Sequence, residues 1–127
     1  MLVYTDYFII KGDVMGVEFH ITRAEFWADN DDAQITSDEW LHYINSDNEL
    51  SRYIINGDYH ALWSGPSLYA EPWLDWSAGN IYTKWPDTYL YRKMLGIAKS
   101  LNAQVMDDDG TIYNDESQWE YDPLSSG

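Results

Sequence analysis

The chain has to bury seven tryptophans and eleven tyrosines while holding a formal net charge of −15 in water. Those two demands together point to a folded domain with an aromatic interior and an acidic shell. A disordered polymer could carry the charge, but it would lack the apolar area that offsets ordering entropy. The balance of 22 Asp and Glu against 7 Lys and Arg repels nucleic acid and anionic lipid and favours basic partners. Solubility alone would account for the same charge. At 127 residues the chain fits one domain, and a domain of this size hides roughly two-thirds of its unfolded surface without covalent staples.

The chain contains no cysteine, which removes disulfides, thiolate zinc sites and thiol nucleophiles and fits a reducing compartment. Residues 1–11 have no basic leader, and Asp6 interrupts their apolar run, so they make a poor secretory signal. No apolar stretch approaches the ~18 residues of a membrane helix. These features are read as those of a soluble cytoplasmic protein.

Val17, Phe19 and Ile21 alternate with Glu18, His20 and Thr22, the pattern of a half-buried strand. Tyr4 to Ile10 is β-branched and aromatic, and Lys11-Gly12-Asp13 is a turn signal. The first 23 residues therefore read as a hairpin, or as one strand behind a loose leader ending near Met15. Ala24 to Gln34 carries Trp27, Asp29, Asn30, Asp31 and Asp32 and reads as a surface loop. Thr36 with Glu39 three residues on is a capping box, which predicts a helix from about Ser37 to Ser46 with Trp40, Leu41 and Ile44 on one face. Leu50 to Ile55 reads as a short helical piece and Ala61 to Ser64 as a strand. Trp73 to Trp76 and Ile81 to Lys84 read as a hairpin around Ser77-Ala78-Gly79-Asn80.

Asp87 is a sound N-cap for a second helix. Leu90, Met94, Ile97, Ala98 and Leu101 form its apolar stripe, and Asn102 ends it in a left-handed conformation. Arg92 and Lys99 lie off that stripe on a solvated face. Ala103 to Met106 is a strand, Asp107 to Gly110 a turn, and Thr111 to Tyr113 a returning strand. The tail from Asn114 is acidic and reads as frayed. The expectation is a single two-layer α+β domain: a mostly antiparallel sheet of about five to six strands with two main helices on one face. Residues 1–14 would be an extension and residues 114–127 an acidic tail.

The motifs of chemistry are largely missing. There is no nucleophile elbow, no Walker sequence and no dinucleotide fingerprint. His20, His42 and His60 have no ligand at metal-binding spacing, so they read as ordinary surface or half-buried histidines unless a metal site is assembled through space. Asp107, Asp109, Gly110, Ile112 and Glu116 match places of a calcium loop, but Val105 stands where its first carboxylate belongs; an acidic β-turn is the better reading. Trp63, Trp73, Trp76 and Trp85 could stack on a sugar beside a carboxylate pair, although packing between sheet and helices explains them as well. No cofactor, metal or catalytic residue is assigned.

Four segments carry a resemblance. They are Val17-Glu18-Phe19-His20-Ile21-Thr22-Arg23-Ala24-Glu25-Phe26-Trp27; Ile35-Thr36-Ser37-Asp38-Glu39-Trp40-Leu41, closed by Asp47; Trp76, Gly79-Asn80-Ile81, Lys84, Pro86-Asp87, Lys93-Met94, Ile97-Ala98 and Leu101; and Ala103-Gln104-Val105 with Asp108-Asp109-Gly110 and Tyr113. In order and spacing they resemble a family of small acidic bacterial proteins, some of them immunity proteins of polymorphic toxin systems, whose toxins travel by contact-dependent or type VI secretion. The resemblance covers about residues 15–114, and the family's usual start lies near Met15.

The resemblance implies a non-catalytic immunity protein that neutralises a cognate toxin by occluding its basic active site. Trp27, Asp29, Asp31 and Asp32 of the first loop and Asp107, Asp108 and Asp109 of the last turn are the candidate partner-binding residues. The partner would be a protein toxin with a basic surface, with no direct nucleic acid and no membrane, and the chain itself a monomer or weak dimer, paired if at all through Tyr4 to Ile10. The alternatives are a small carboxylate-dependent hydrolase and an acidic nucleic-acid mimic that binds a housekeeping protein.

Overall fold

The architecture turns on one strand, β1 (Glu18–Thr22), which sits near the middle of an antiparallel sheet although it opens the described chain. The computed structural model describes residues 17–124. The strand, turn and leader expected before Met15 lie outside the described residues, as does the C-terminal Ser-Ser-Gly. After β1 come α1 (Ser37–Ser46), β2 (Leu50–Arg52), β3 (Ala61–Trp63), β4 (Trp73–Ser77), β5 (Asn80–Lys84), α2 (Thr88–Ser100), β6 (Gln104–Asp107) and β7 (Ile112–Tyr113). The seven strands run in the order β2-β3-β4-β5-β1-β6-β7, all neighbours antiparallel. This is the expected α+β fold with a slightly higher strand count. Leu50 to Arg52 is where the reading differs: they form β2, and only Ile54–Asn56 is helical, as a single 3₁₀ turn. Pairing with β3 sets Leu50 opposite Trp63, both buried, which a solvent-facing helical turn could not achieve.

Both helices form where their sequence signals place them. Thr36 accepts the Glu39 N–H through its side chain at 3.1 Å, and the Glu39 carboxylate accepts the Thr36 N–H at 2.9 Å, closing the capping box of α1. Such a cap stabilises a helix by about 1 kcal/mol. Asp87 caps α2 and is itself buried; one of its oxygens accepts the Leu90 N–H and the other the Leu68 N–H. Two backbone donors thus replace the water this carboxylate lost. Asn102 ends the helix at φ 57°, the left-handed stop expected of it.

The helices cover one face of the sheet. Phe19 and Ile21 of β1, Leu74 of β4, Ile81 of β5 and Val105 of β6 meet Trp40 and Ile44 of α1 and Leu90, Tyr91, Met94 and Ile97 of α2. Tyr91, outside the apolar stripe read from the sequence, is fully buried and donates its hydroxyl to the Asp115 carbonyl. Lys93 of α2 also turns inward, bonding Asp47 at 2.8 Å and Glu49 at 2.7 Å. Burial works against this ammonium, but the two carboxylates outweigh it and hold its pKa above the ordinary lysine value.

The tail does not fray over its described length. Trp119 packs on Phe19 with ring centroids 4.7 Å apart and donates its indole N–H to the Pro86 carbonyl at 2.8 Å. Tyr121 exchanges backbone and side-chain bonds with Thr88 and lies against Trp85. Residues 114–124 carry four acids and no base, but Trp119 and Tyr121 supply enough apolar surface to hold them down.

Arg23 ties the layers together. Its guanidinium forks onto the Glu39 carboxylate at 3.0 and 2.8 Å and donates to the Leu101 carbonyl at 3.0 Å. These bonds join the end of β1 to the start of α1 and the end of α2. The hydrogen bond from Arg23, and after it the Thr36 N–H, lowers the Glu39 pKa from 4.5 to about 2. A carboxylate depressed on folding contributes stability above its unfolded pKa and loses it as pH falls through its folded one. Glu39→Gln keeps the capping geometry and removes the charge. The variant should melt below the wild type at pH 7, and the gap should close between about pH 4.5 and about pH 2, as followed by thermal denaturation. Trp119→Ala should cost about 2–3 kcal/mol in urea unfolding, less than a fully buried tryptophan because the ring is only half-buried.

Candidate functional site

The second face of the sheet is where the candidate residues gather. Residues of β1 alternate, so Phe19 and Ile21 face the helices while Glu18, His20 and Thr22 face the other way. The sequence pattern reads this second phase as exposed. In the structure His20 and Thr22 are both buried, because the segment after β1 folds back over them. Trp27 lays its indole flat on the His20 ring, with centroids 3.9 Å apart and planes 6° from parallel.

Three sets of polar contacts hold that loop in place. Asn30 donates to the Ala78 carbonyl at 2.7 Å, and Asn80 donates to the Trp27 carbonyl at 2.8 Å. The Trp27 indole N–H donates to the Asp108 carbonyl at 3.0 Å. The two turns that receive the loop are cut to fit it. Ala78 and Gly79 have φ of 49° and 89°, the double left-handed geometry of a tight hairpin. A Cβ on Gly79 would fall 2.7 Å from the Asn30 amide, and one on Gly110, at φ 86°, would press Phe26 at 3.0 Å. Glycine is required at both places by backbone conformation and by the closeness of the loop.

The structure therefore joins the two candidate clusters through Trp27. Asp29, Asp31 and Asp32 are exposed and, with Glu25, line a shallow groove on the outer side of the loop. Among the described residues no ion pair engages any of these three aspartates or Asp109. Arg23, Lys84, Arg92 and Lys93 are instead set against carboxylates elsewhere. Asp107 differs from its neighbours. One of its oxygens accepts the Asp109 and Thr111 N–H groups and the other accepts the Tyr113 hydroxyl. Its role is to shape the turn, and burial followed by this carboxylate pushes the Tyr113 hydroxyl well above the ordinary tyrosine range. The turn is the acidic β-turn read from the sequence, with Gly110 N–H closing on the Asp107 carbonyl.

Asp108 takes a third course. Its Oδ2 accepts the Glu18 N–H at 3.1 Å, and its Oδ1 lies 2.9 Å from His20 Nε2. Glu18 Oε1 stands 3.9 Å from the same nitrogen. Beside this group a cleft of about 410 Å³ opens, lined by Glu18, His20, Trp27, Asn30, Tyr82 and Lys84 among others. Burial, with Asp75 and Glu18 adding to it, raises the Tyr82 pKa, so its hydroxyl remains a neutral donor. None of Trp63, Trp73, Trp76 and Trp85 lines this cleft. Trp63 and Trp76 pack toward the helices, their indole N–H groups on Glu49 and the Ile35 carbonyl.

From the sequence, His20 reads as an ordinary histidine unless a metal site is assembled through space, and Glu18, Asn30, Asn80 and Tyr82 have no site role. The polar phase of β1 carried the only available sign, two ionisable groups two residues apart on one strand face. Their meeting with Asp108 depends on a contact spanning 88 residues. His60 is likewise buried, stacked on Trp73 with Nδ1 3.6 Å from Asp75, while His42 is exposed on α1. Among the described residues no helix is long and apolar enough to cross a membrane. Compared with protein-family models, curated proteins and solved structures, the chain finds no match.

Proposed function

We propose that this protein is a non-catalytic inhibitor that binds a basic protein, in the manner of the immunity proteins it resembles. One observation carries the reading: the exposed Asp29, Asp31 and Asp32 loop and the turn that exposes Asp109 are joined on the sheet by Trp27, and these four carboxylates lie outside the ion pairs of the described residues. Preformed anionic loops dock with little ordering cost. Opposed potentials raise encounter rates and reject like-charged competitors. The bunching of Asp29, Asp31 and Asp32 on one loop suits a compact cationic cavity better than the regular phosphate spacing a nucleic-acid mimic must copy. On this reading the partner is a toxin with a basic active site, held in the cytoplasm by a protein that turns over nothing itself.

A toxin gene is expected beside that of this chain, and protection of cells co-expressing the toxin's domain tests the proposal. The wild type should protect and should bind that domain one to one. Asp29→Lys/Asp31→Lys/Asp32→Lys should slow association by about tenfold or more at low salt and flatten its salt dependence. The fold should survive, since these side chains are exposed and outside the ion pairs of the described residues. Unchanged association by the triple variant, or no binding by the wild type, would defeat the reading.

A further inference from the structure

A strand and a hairpin turn bring one imidazole and two carboxylates to a common point on the open face of the sheet. His20 Nε2 lies 2.9 Å from Asp108 Oδ1 and 3.9 Å from Glu18 Oε1, and the ligand atoms of the three residues all fall within 4.8 Å of one another. We propose that Glu18, His20 and Asp108 form a binding site for a divalent transition-metal ion of the zinc type. The proposal does not depend on the inhibitor reading, and it concerns the free protein.

Geometry is the first support. Two ligand atoms about 2.1 Å from one ion are about 3.4 Å apart at tetrahedral angles. The contacts of 2.9 and 3.9 Å straddle that value, and the ligand atoms of all three residues lie within 4.8 Å of one another, so side-chain movements of up to about an ångström would bring them onto one ion. Valence is the second support. The imidazole Nε2 carries at most one hydrogen, which serves Asp108; it cannot at the same time serve the second carboxylate. One divalent ion satisfies all three donors and balances two negative charges.

The arrangement around the three donors is that of a prepared site. The Glu18 N–H fixes Asp108 Oδ2 and so turns Oδ1 toward the histidine. The Trp27 indole N–H holds the Asp108 carbonyl, and its ring clamps the plane of His20. Lys84 approaches the other oxygen of Glu18, Oε2, at 3.9 Å and leaves Oε1 toward the site. Outer contacts of this kind fix ligand orientation and commonly change metal affinity 10–100-fold. His20 is 3% exposed, yet both it and Glu18 border the cleft, which provides an entry path and room for water ligands. The donor set selects the ion: imidazole nitrogen favours zinc and its neighbours, whereas magnesium and calcium prefer all-oxygen sites.

Calorimetric titration of the full chain with zinc chloride tests the site, with magnesium chloride as the parallel arm. The expected result is saturable binding of one zinc per chain and none of magnesium. Glu18→Gln and Asp108→Asn should each weaken zinc binding by at least about tenfold, the lower bound being the size of an outer-contact effect. Asp31→Asn/Asp32→Asn should leave it unchanged. The His20 ring nitrogens, followed by NMR, should shift on zinc addition and not on magnesium addition. If Asp108→Asn does not fold, Glu18→Gln and the ring shift decide. Absence of zinc binding, equal loss in the Asp31/Asp32 variant, or a His20 ring that does not respond would overturn the assignment.

Discussion

Everything in this molecule is arranged around the double-sided pairing of β1. β5 bonds one edge of the strand and β6 the other, and the Glu18 N–H, at the strand's start, is taken by the Asp108 carboxylate. Both of its faces are covered as well: one by α1 and α2, the other by the loop carrying Trp27. A strand enclosed on four sides is a fixed reference from which other parts can be positioned. The acidic loop hangs from its C-terminal end, and the acidic turn is tied to its first residue through Asp108.

That placement converts ordinary loop residues into a structured surface. Loops rich in aspartate usually spread under their own repulsion, and here the spreading is opposed by neutral contacts. Indole on imidazole, amide on carbonyl and indole N–H on carbonyl do the holding. None of these consumes the carboxylates of Asp29, Asp31, Asp32 or Asp109, so their negative charge stays at the surface. The cations elsewhere, Arg23 and Lys93 above all, serve part-exposed joints between elements instead.

Much of the fold was legible because its signals are local. The capping box at Thr36 and Glu39, the cap at Asp87 and the stop at Asn102 each act over a few residues, and each appears as read. Leu50 to Arg52 was misread because three residues hold too little pattern to separate a strand from a helical turn, and pairing with β3 decided it. The tail was misread because its charge hid what Trp119 and Tyr121 do once Phe19 and Trp85 are beside them. Of the candidate residues, the two clusters were visible as acid-rich loops, but their connection through Trp27 was not. Asp107 looks the same as Asp108 and Asp109 in the sequence; only the Tyr113 hydroxyl and two backbone N–H groups set it apart. The burial of His20 depends on a loop folding back, which no strand pattern encodes.

The central place of β1 also has a consequence in time. It is the earliest described strand to leave the ribosome, yet its two neighbours, β5 and β6, begin at residues 80 and 104. Pairings of such long sequence separation close slowly. α1 follows β1 closely, but Phe19 and Ile21 lack their first sheet partner until β5 is complete at residue 84, and lack α2 and β6 until later still. The nascent chain therefore carries β1 without its sheet partners through much of translation, an interval in which a strong net negative charge opposes association between neighbouring copies.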